Sequence, residues 1–386
     1  MNGHFVKRYG VPLVLLALFL VFVVWLNQVE KVPLVSREGQ TFEKGVVTEI
    51  IQDNIQPGGT RVGEQVVRVR MTSGELKGEE IVTTSSSGFL FGAPCVEGMR
   101  VVIMQSLAGD TVVSSVYSQD REFQVLAFAA IYLIILCIVG GWQGIKSSLS
   151  LVFTFASIIW VYLPMVYRGG SPFWSAVAVC AVTTVVSMWL LGGATMKTLV
   201  ATAGTVAGVV LSGSFASAFS FATGVTGWNV SDIESLMTLW NTSGIQVGGL
   251  LFSGLLISSL GAMMDVGMSI ASSMTEICAQ SPGISRRELF QSGMRVGRDM
   301  MGTNSNTLIL AFAGSSVSML VLDYAYDLPW LQIINSNNIG IAIMEGLSGS
   351  FGVVLSVPAT GALATVLYTL PQKNKPAAEA PAIQAE

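Results

Sequence analysis

Residues Gly248–Glu276 read GGLLFSGLLISSLGAMMDVGMSIASSMTE, a long apolar segment with a carboxylate, Asp265, inside it. At helical spacing Ser258, Gly261, Asp265, Ser269, Ser272 and Glu276 fall on one face, while Leu255, Leu256, Leu260, Met263 and Met264 fill much of the rest. An ionisable group well inside a membrane helix costs on the order of several kcal/mol unless it is paired, hydrated or neutralised. The polar stripe is therefore expected to face protein or water, with Asp265 as a functional residue. The alternative is structural: Asp265 caps a neighbouring helix or pairs with a basic side chain.

Composition agrees with a membrane setting. The chain has 386 residues, of which 51% are hydrophobic and only 11% charged, and its mean hydropathy is +0.63, outside the soluble globular range. The single histidine, His4, leaves no basis for His-based metal sites or Ser/His/Asp and Cys/His nucleophile pairs. No enzyme and no cofactor are expected. Cys137, Cys180 and Cys278 sit in or beside apolar segments and Cys95 is alone in a polar region, so no disulfide framework is expected. The net charge of −4 is segregated along the chain, with no basic run suited to nucleic acid.

On the carboxyl side of this segment, Ser285-Arg-Arg-Glu288 reads as a capping box, and Leu289, Phe290, Met294 and Val296 give the following helix an apolar side to lie along the membrane surface. The chain then re-enters the membrane through GTNSNTLIL. Thr303 and Thr307 share a face at i,i+4, and Asn304 and Asn306 add amides that need partners in hydrocarbon. The expected partner is the stripe on Gly248–Glu276. Asp299, Glu276, Ser269 and Glu345 are secondary candidates, Glu345 with Gly349, Gly352 and Ser356 on roughly its own face. On the amino side, Gly204, Gly208 and Ser212 follow the small-xxx-small spacing of close helix packing, and Ser231-Asp-Ile-Glu234 opens a short amphipathic segment.

Residues 1–28 hold Lys7, Arg8 and the apolar run Val11–Leu26, read as a retained signal anchor. Residues 30–120 change character. GVVTEII, QVVRVRMT, EEIVTTS, RVVIMQ and TVVSSVYS alternate or run in β-branched residues between turn signals, which predicts a small all-β, OB-like barrel. Phe42, Phe89, Phe91 and Tyr117 are too few and scattered for a nucleic-acid platform. Residues 121–370 hold further apolar segments at about 123–141, 149–167, 173–191, 197–224, 246–272, 302–322 and 338–369, the last with Pro358 as its expected kink. The fold class expected is an α-helical polytopic bundle of about eight transmembrane helices with that extracytoplasmic β domain, followed by a disordered tail, 371–386. Starting inside, the cytoplasmic segments collect Lys7, Arg8, Lys146, Lys197, Arg286, Arg287, Arg295, Arg298, Lys373 and Lys375, and the short outer loops only Arg168. Both termini are thus expected in the cytoplasm and residues 30–120 outside.

GAMMDVGMSIASSMTEI, followed by ISRRELFQSGMRVGRDMMGTNSNTLILAFAG, resembles the signature of the YibE/F-like family of bacterial membrane proteins, and the outer barrel with seven further spans is similar to the YibE type. The resemblance implies a multi-pass protein of the bacterial cytoplasmic membrane, with a YibF-like partner lacking the barrel or a homo-oligomer. A weaker resemblance joins Gly-x-x-x-Asp, the basic connector and Asn/Thr-Thr-Leu to the central helix pair of SecDF and other RND-type proton-driven proteins; it implies that Asp265 takes up a proton beside Thr307. Here the carboxylate is on the sixth expected span rather than the fourth, and the outer domain is small.

The function expected is an ion-coupled transporter or energy-coupling permease, with H+ as the ion. Asp265 alternates between protonated and ionised states, and Thr303, Asn304, Asn306 and Thr307 are its changing partners. The alternative is a non-transporting scaffold or sensor whose β domain binds an envelope protein. A membrane enzyme would need a site built from Asp265, Glu276 and Asp299 at the inner face.

Overall fold

The computed structural model describes residues 19–29, 39–56, 61–86, 92–108, 111–230 and 233–369. His4, Lys7, Arg8, Phe89, Phe91, the Ser231-Asp232 start of the outer capping box and the tail 371–386 lie outside them. The chain forms two compact units, one drawn from Pro33–Val139 and the other from Met1–Val32 with Gly140–Glu386.

In the first unit, five strands close a barrel: β1 (Gln40–Gln52), β2 (Glu64–Met71), β3 (Glu80–Ser86), β4 (Arg100–Ala108) and β5 (Thr111–Gln119), in the order β1-β2-β3-β5-β4. Each overlaps one of the alternating runs in the sequence. Alternate residues point inward, so Val67, Val69 and Met71 of β2 meet Val47, Val101, Ile103 and Val116 in the core. Closure depends on β1, which pairs with β2 and β4 at once; Gly45 faces Met71 on one side and Val101 on the other. A Cβ on Gly45 would lie 2.4 Å from Val69 Cγ1, so the strand can share its neighbours there only as glycine. A buried polar cluster seals the barrel. Gln65 accepts from the Cys95 N–H at 2.8 Å and donates to Asp53 at 2.9 Å, while Ser85 Oγ accepts from the Ala93 N–H at 3.0 Å and donates to the Ala93 carbonyl at 2.7 Å.

The other elements are α1 (Glu122–Ser157), a π-helical turn (Ile158–Tyr162), α2 (Leu163–Tyr167), α3 (Pro172–Gly192), α4 (Met196–Thr223), α5 (Ile233–Ser243), a 3-10 turn (Val247–Gly249), α6 (Leu250–Gln280), α7 (Arg286–Ser315), α8 (Val317–Ala325), α9 (Trp330–Ile334) and α10 (Asn337–Tyr368). Among the described residues, five helical stretches are long and apolar enough to cross a membrane, and six if α7 and α8, bent by 57°, count as one. The sequence suggests eight. The difference lies in Val11–Leu26, of which 19–26 are described and helical, and in Glu122–Tyr167, which holds two of the expected spans. No loop separates those two. The break is one residue, Gly141, at φ 53 and ψ −133, a conformation that needs glycine. Likewise α10 runs through Pro358 as one helix.

The reading of residues 285–298 as a separate helix along the membrane surface is corrected. The Ser285–Glu288 capping box is present, but the helix it starts continues unbroken to Ser315. Its apolar side is covered by protein: Leu289 is buried, Gly293 faces Met274, and Gly297 lies against Val357 and Ile270.

In this unit α10 packs on α4, α6 and α7, and α6 also packs on α3 and α4. Small residues let the backbones meet. Gly204, Gly208 and Ser212 of α4 oppose Thr360, Ser356 and Gly352 of α10, two matching rows at a spacing of four. Ser212 Oγ donates to the Ser348 carbonyl at 3.0 Å, and Thr205 Oγ1 reaches the Met263 carbonyl at 3.4 Å. Arg168 has a structural partner too. Its guanidinium donates to the carbonyls of Trp25, Leu26 and Gln28 and stands 4.4 Å from the Trp25 ring centroid, closing the carboxyl end of the 19–27 helix.

Candidate functional site

At about 1.5 Å per residue, the 31 residues of α6 span about 46 Å, and Asp265 lies near the middle, about 22 Å from either end. Within a bilayer a carboxylate is costly unless it is paired, hydrated or neutralised. The residues α6 spends on packing lie opposite: Met263, Val266, Gly267, Ile270 and Met274 are buried. Ser258, Gly261, Asp265 and Glu276 are exposed on the other side, with Ser269 and Ser272 half-buried at its edge. A Cβ at Gly254 or Gly261 would meet nothing within 4 Å. The stripe, expected to face protein or water, thus lies on the side of α6 that the described residues leave uncovered. Among the described residues, no hydrogen bond or ion pair reaches the Asp265 carboxylate, so neither structural alternative for it, a cap or a basic partner, is found.

Thr303, Asn306 and Thr307 are exposed on α7 and Asn304 is half-buried. Thr307 Oγ1 donates to the Thr303 carbonyl at 3.0 Å, an intrahelical bond. No hydrogen bond among the described residues joins these side chains to the α6 stripe, which corrects the expected pairing. The reason is rotational: α7 meets α6 through Ile270 and Met274, five and nine residues from Asp265 and on the far side of the helix. Height is nevertheless shared. Gly293 opposite Met274, Gly297 opposite Ile270, and Leu308 with Ser259 around Gly349 fix an antiparallel register that sets Asp265 level with Gly302 and Gly261 level with Asn306.

Of the secondary candidates, Glu276 accepts from Gln280 at 3.0 Å, Asp299 is exposed, and Glu345 is half-buried near the start of α10. Gly349, Gly352 and Ser356 are buried in the packing with α4, α6 and α7. Among the described residues no group of three or more His, Cys, Asp and Glu side chains could hold a metal ion; Asp265, Glu276 and Asp299 are not brought together in that way.

Sequence reasoning missed the hydroxyls inside the bundle. Tyr162 and Ser253 share a hydrogen bond between the π-helical turn and α6, and Thr360 Oγ1 is buried, with no hydrogen-bond partner among the described residues, where it faces Gly204. The repeat Gly352, Ser356, Thr360 was the available signal, since it matches Gly204, Gly208, Ser212 at the same interval.

No curated protein and no solved structure gives a match to this chain. The sequence model of the YibE/F-like protein family matches residues 128–370, from the first arm of α1 to the end of α10, and so takes in both α6 and α7. With well over half of its length covered by that match, this membrane protein belongs to the YibE/F-like family.

Proposed function

We propose that the chain is an ion-coupled membrane transporter or energy-coupling permease, in which Asp265 binds and releases a cation, H+ in the first instance. One observation carries the reading: a carboxylate at mid-length of a 31-residue apolar helix, with no ion pair or hydrogen bond among the described residues. Such a group is retained against a cost of several kcal/mol, on the order that membrane insertion scales assign to a central aspartate. On this reading Thr303, Asn304, Asn306 and Thr307, at a similar height on α7 but not bonded to the α6 stripe, exchange with the ion only when α6 and α7 move relative to each other. In this reading the protein sits in a bacterial cytoplasmic membrane with both termini inside and an OB-like barrel outside. No enzymatic step is assigned.

The test is carbodiimide labelling of the reconstituted full-length chain, located by mass spectrometry, across pH and with and without Na+. Exposed Asp299 in the same chain serves as the reference carboxyl. A coupling site should give an Asp265 adduct whose pH profile is displaced from that of Asp299; suppression by Na+ would identify Na+ as the ion instead. An Asp265 profile that coincides with Asp299 and ignores Na+ overturns the reading.

The scaffold alternative has one observation in its favour. On the barrel surface Phe42 and Tyr117 pack edge to face at 5.2 Å while remaining 39% and 40% exposed, an aromatic surface suited to an envelope protein. Deleting residues 40–118 should then abolish function, whereas full function without them would exclude it.

A further inference from the structure

The polar strip on α6 and the polar side chains on α7 are both uncovered, and their chemistry is complementary. The α6 strip is built from Gly254, Ser258 and Gly261 with one strong acceptor, Asp265. The exposed side of α7 has donors that bond to no other described residue, the Thr303 hydroxyl and the Asn306 amide, and a gap at Gly302, where an added Cβ would meet nothing within 4 Å. Hydrocarbon satisfies neither set. Small residues that allow close backbone approach, next to polar side chains that can bond across helices, are the composition of a helix–helix interface in a membrane.

We propose that these two strips form the interface of a two-fold dimer of this chain, α6 of each copy lying against α7 of the other. The register within one chain favours a second copy over an unrelated partner. A two-fold axis along the membrane normal leaves every residue at its own depth, so groups level within a chain remain level across the interface. Asp265 then faces the Gly302 gap of the other copy, with Thr303 beside it and Asn306 one turn away, and Gly261 faces Asn306. Acceptor meets donor and glycine meets side chain twice. The dimer does not depend on the ion-coupling reading, because the same contacts form whether or not Asp265 exchanges a cation.

The experiment uses the full-length chain in native membranes, with Cys137 and Cys278 changed to alanine and the buried Cys95 and Cys180 retained. Copies carrying Gly261→Cys and copies carrying Asn306→Cys, with different affinity tags, are co-expressed and oxidised. Val185→Cys, exposed on α3, is the collision control. The dimer predicts a disulfide-linked product containing both tags in clear excess over the control. As a second measurement, Asp265→Leu should weaken association of the reconstituted chain about threefold to thirtyfold, the range expected for one interhelical polar contact, in energy transfer at varied protein-to-lipid ratio. No product above the control, together with one chain per particle in native nanodiscs, overturns the proposal. So does a Gly261→Cys adduct with a different protein but not with a second copy, and so does unchanged association of Asp265→Leu.

Discussion

Gly352→Ala adds a single methyl group where α4 and α10 touch. The new Cβ would stand 2.7 Å from Ser212 Cβ, 3.0 Å from the Gly208 carbonyl oxygen and 2.3 Å from Met263 Cε. The methionine tip can swing away, but Ser212 Cβ and the Gly208 backbone cannot. Carbon atoms rest at about 3.5–4.0 Å, so the two helices must part by nearly an ångström. Overpacking of this kind costs about 1–3 kcal/mol. Parting the helices also stretches the 3.0 Å bond from Ser212 Oγ to the Ser348 carbonyl, worth about 0.6 kcal/mol in membrane bundles. Against this, alanine stabilises a helix over glycine by about 0.5–1 kcal/mol. The net expectation is a loss of up to about 3 kcal/mol, measured by reversible unfolding in mixed micelles. Gly361→Ala is the control within the same helix. Its Cβ would rest at 3.5 and 3.6 Å from the Phe290 ring, ordinary contact, so it should be neutral or stabilising. Adding Ser212→Gly to Gly352→Ala removes the closest fixed atom and should recover part of the loss. Equal stability of Gly352→Ala and Gly361→Ala would refute the claim that glycine contact sets the α4–α10 distance.

Two further outcomes are expected. Gly92 has φ +85, and a Cβ there would lie 1.8 Å from the Ser86 carbonyl oxygen, so Gly92→Ala should destabilise the barrel by about 2 kcal/mol or more. The readout is maleimide modification of Cys95: burial pushes its thiol up, with the Ser85 hydrogen bond and the Arg61 charge opposing only in part, so the native barrel should protect Cys95 and the variant should not. At the start of α7, the Ser285 hydroxyl and backbone N–H hold the Glu288 carboxyl below its ordinary 4.5. A carboxyl lowered in the folded state contributes stability above its unfolded value and loses it as pH falls through the folded one. The protection factors of residues 285–289, with the intrinsic exchange rate divided out, should therefore fall on acidification below about 4.5 in the wild-type chain, and Ser285→Ala should flatten that response; identical profiles would remove the capping box from the account.

The strands were legible because both of their signals are local. Alternation in QVVRVRM and the turn residues between runs report on neighbours a few positions away, and all five appear as strands. The double pairing of β1 at Gly45 depends on residues more than twenty positions distant and left no local trace. The 285–298 reading failed for a different reason. Leu289, Phe290, Met294 and Val296 form an apolar side that states that one face is covered, but not whether lipid or protein covers it. Met274 and Ile270, each facing a glycine, decide it here. The Asp265 face was legible in the same limited way. Its period marks which residues share a side; that this side is the open one follows from how completely α3, α4, α7 and α10 occupy the other.

Among the described residues no charged side chain is fully buried, and the interior is joined by glycine, serine and threonine contacts at backbone distance. Rows such as Gly204, Gly208, Ser212 against Thr360, Ser356, Gly352 leave little room for helices to slide, because each step of the row would drive a side chain into a facing backbone. If Asp265 is the coupling carboxylate, its two states therefore differ least in this core. The difference falls on the outer side of α6, where Gly254 and Gly261 have open space and the carboxylate has no fixed partner. On the proposed reading, coupling would involve rigid bundles shifting against each other at the Asp265 face. Substitutions in the α4–α10 rows should then change stability without changing the ion dependence of labelling, while substitutions at Gly261 or Asn306 should do the reverse.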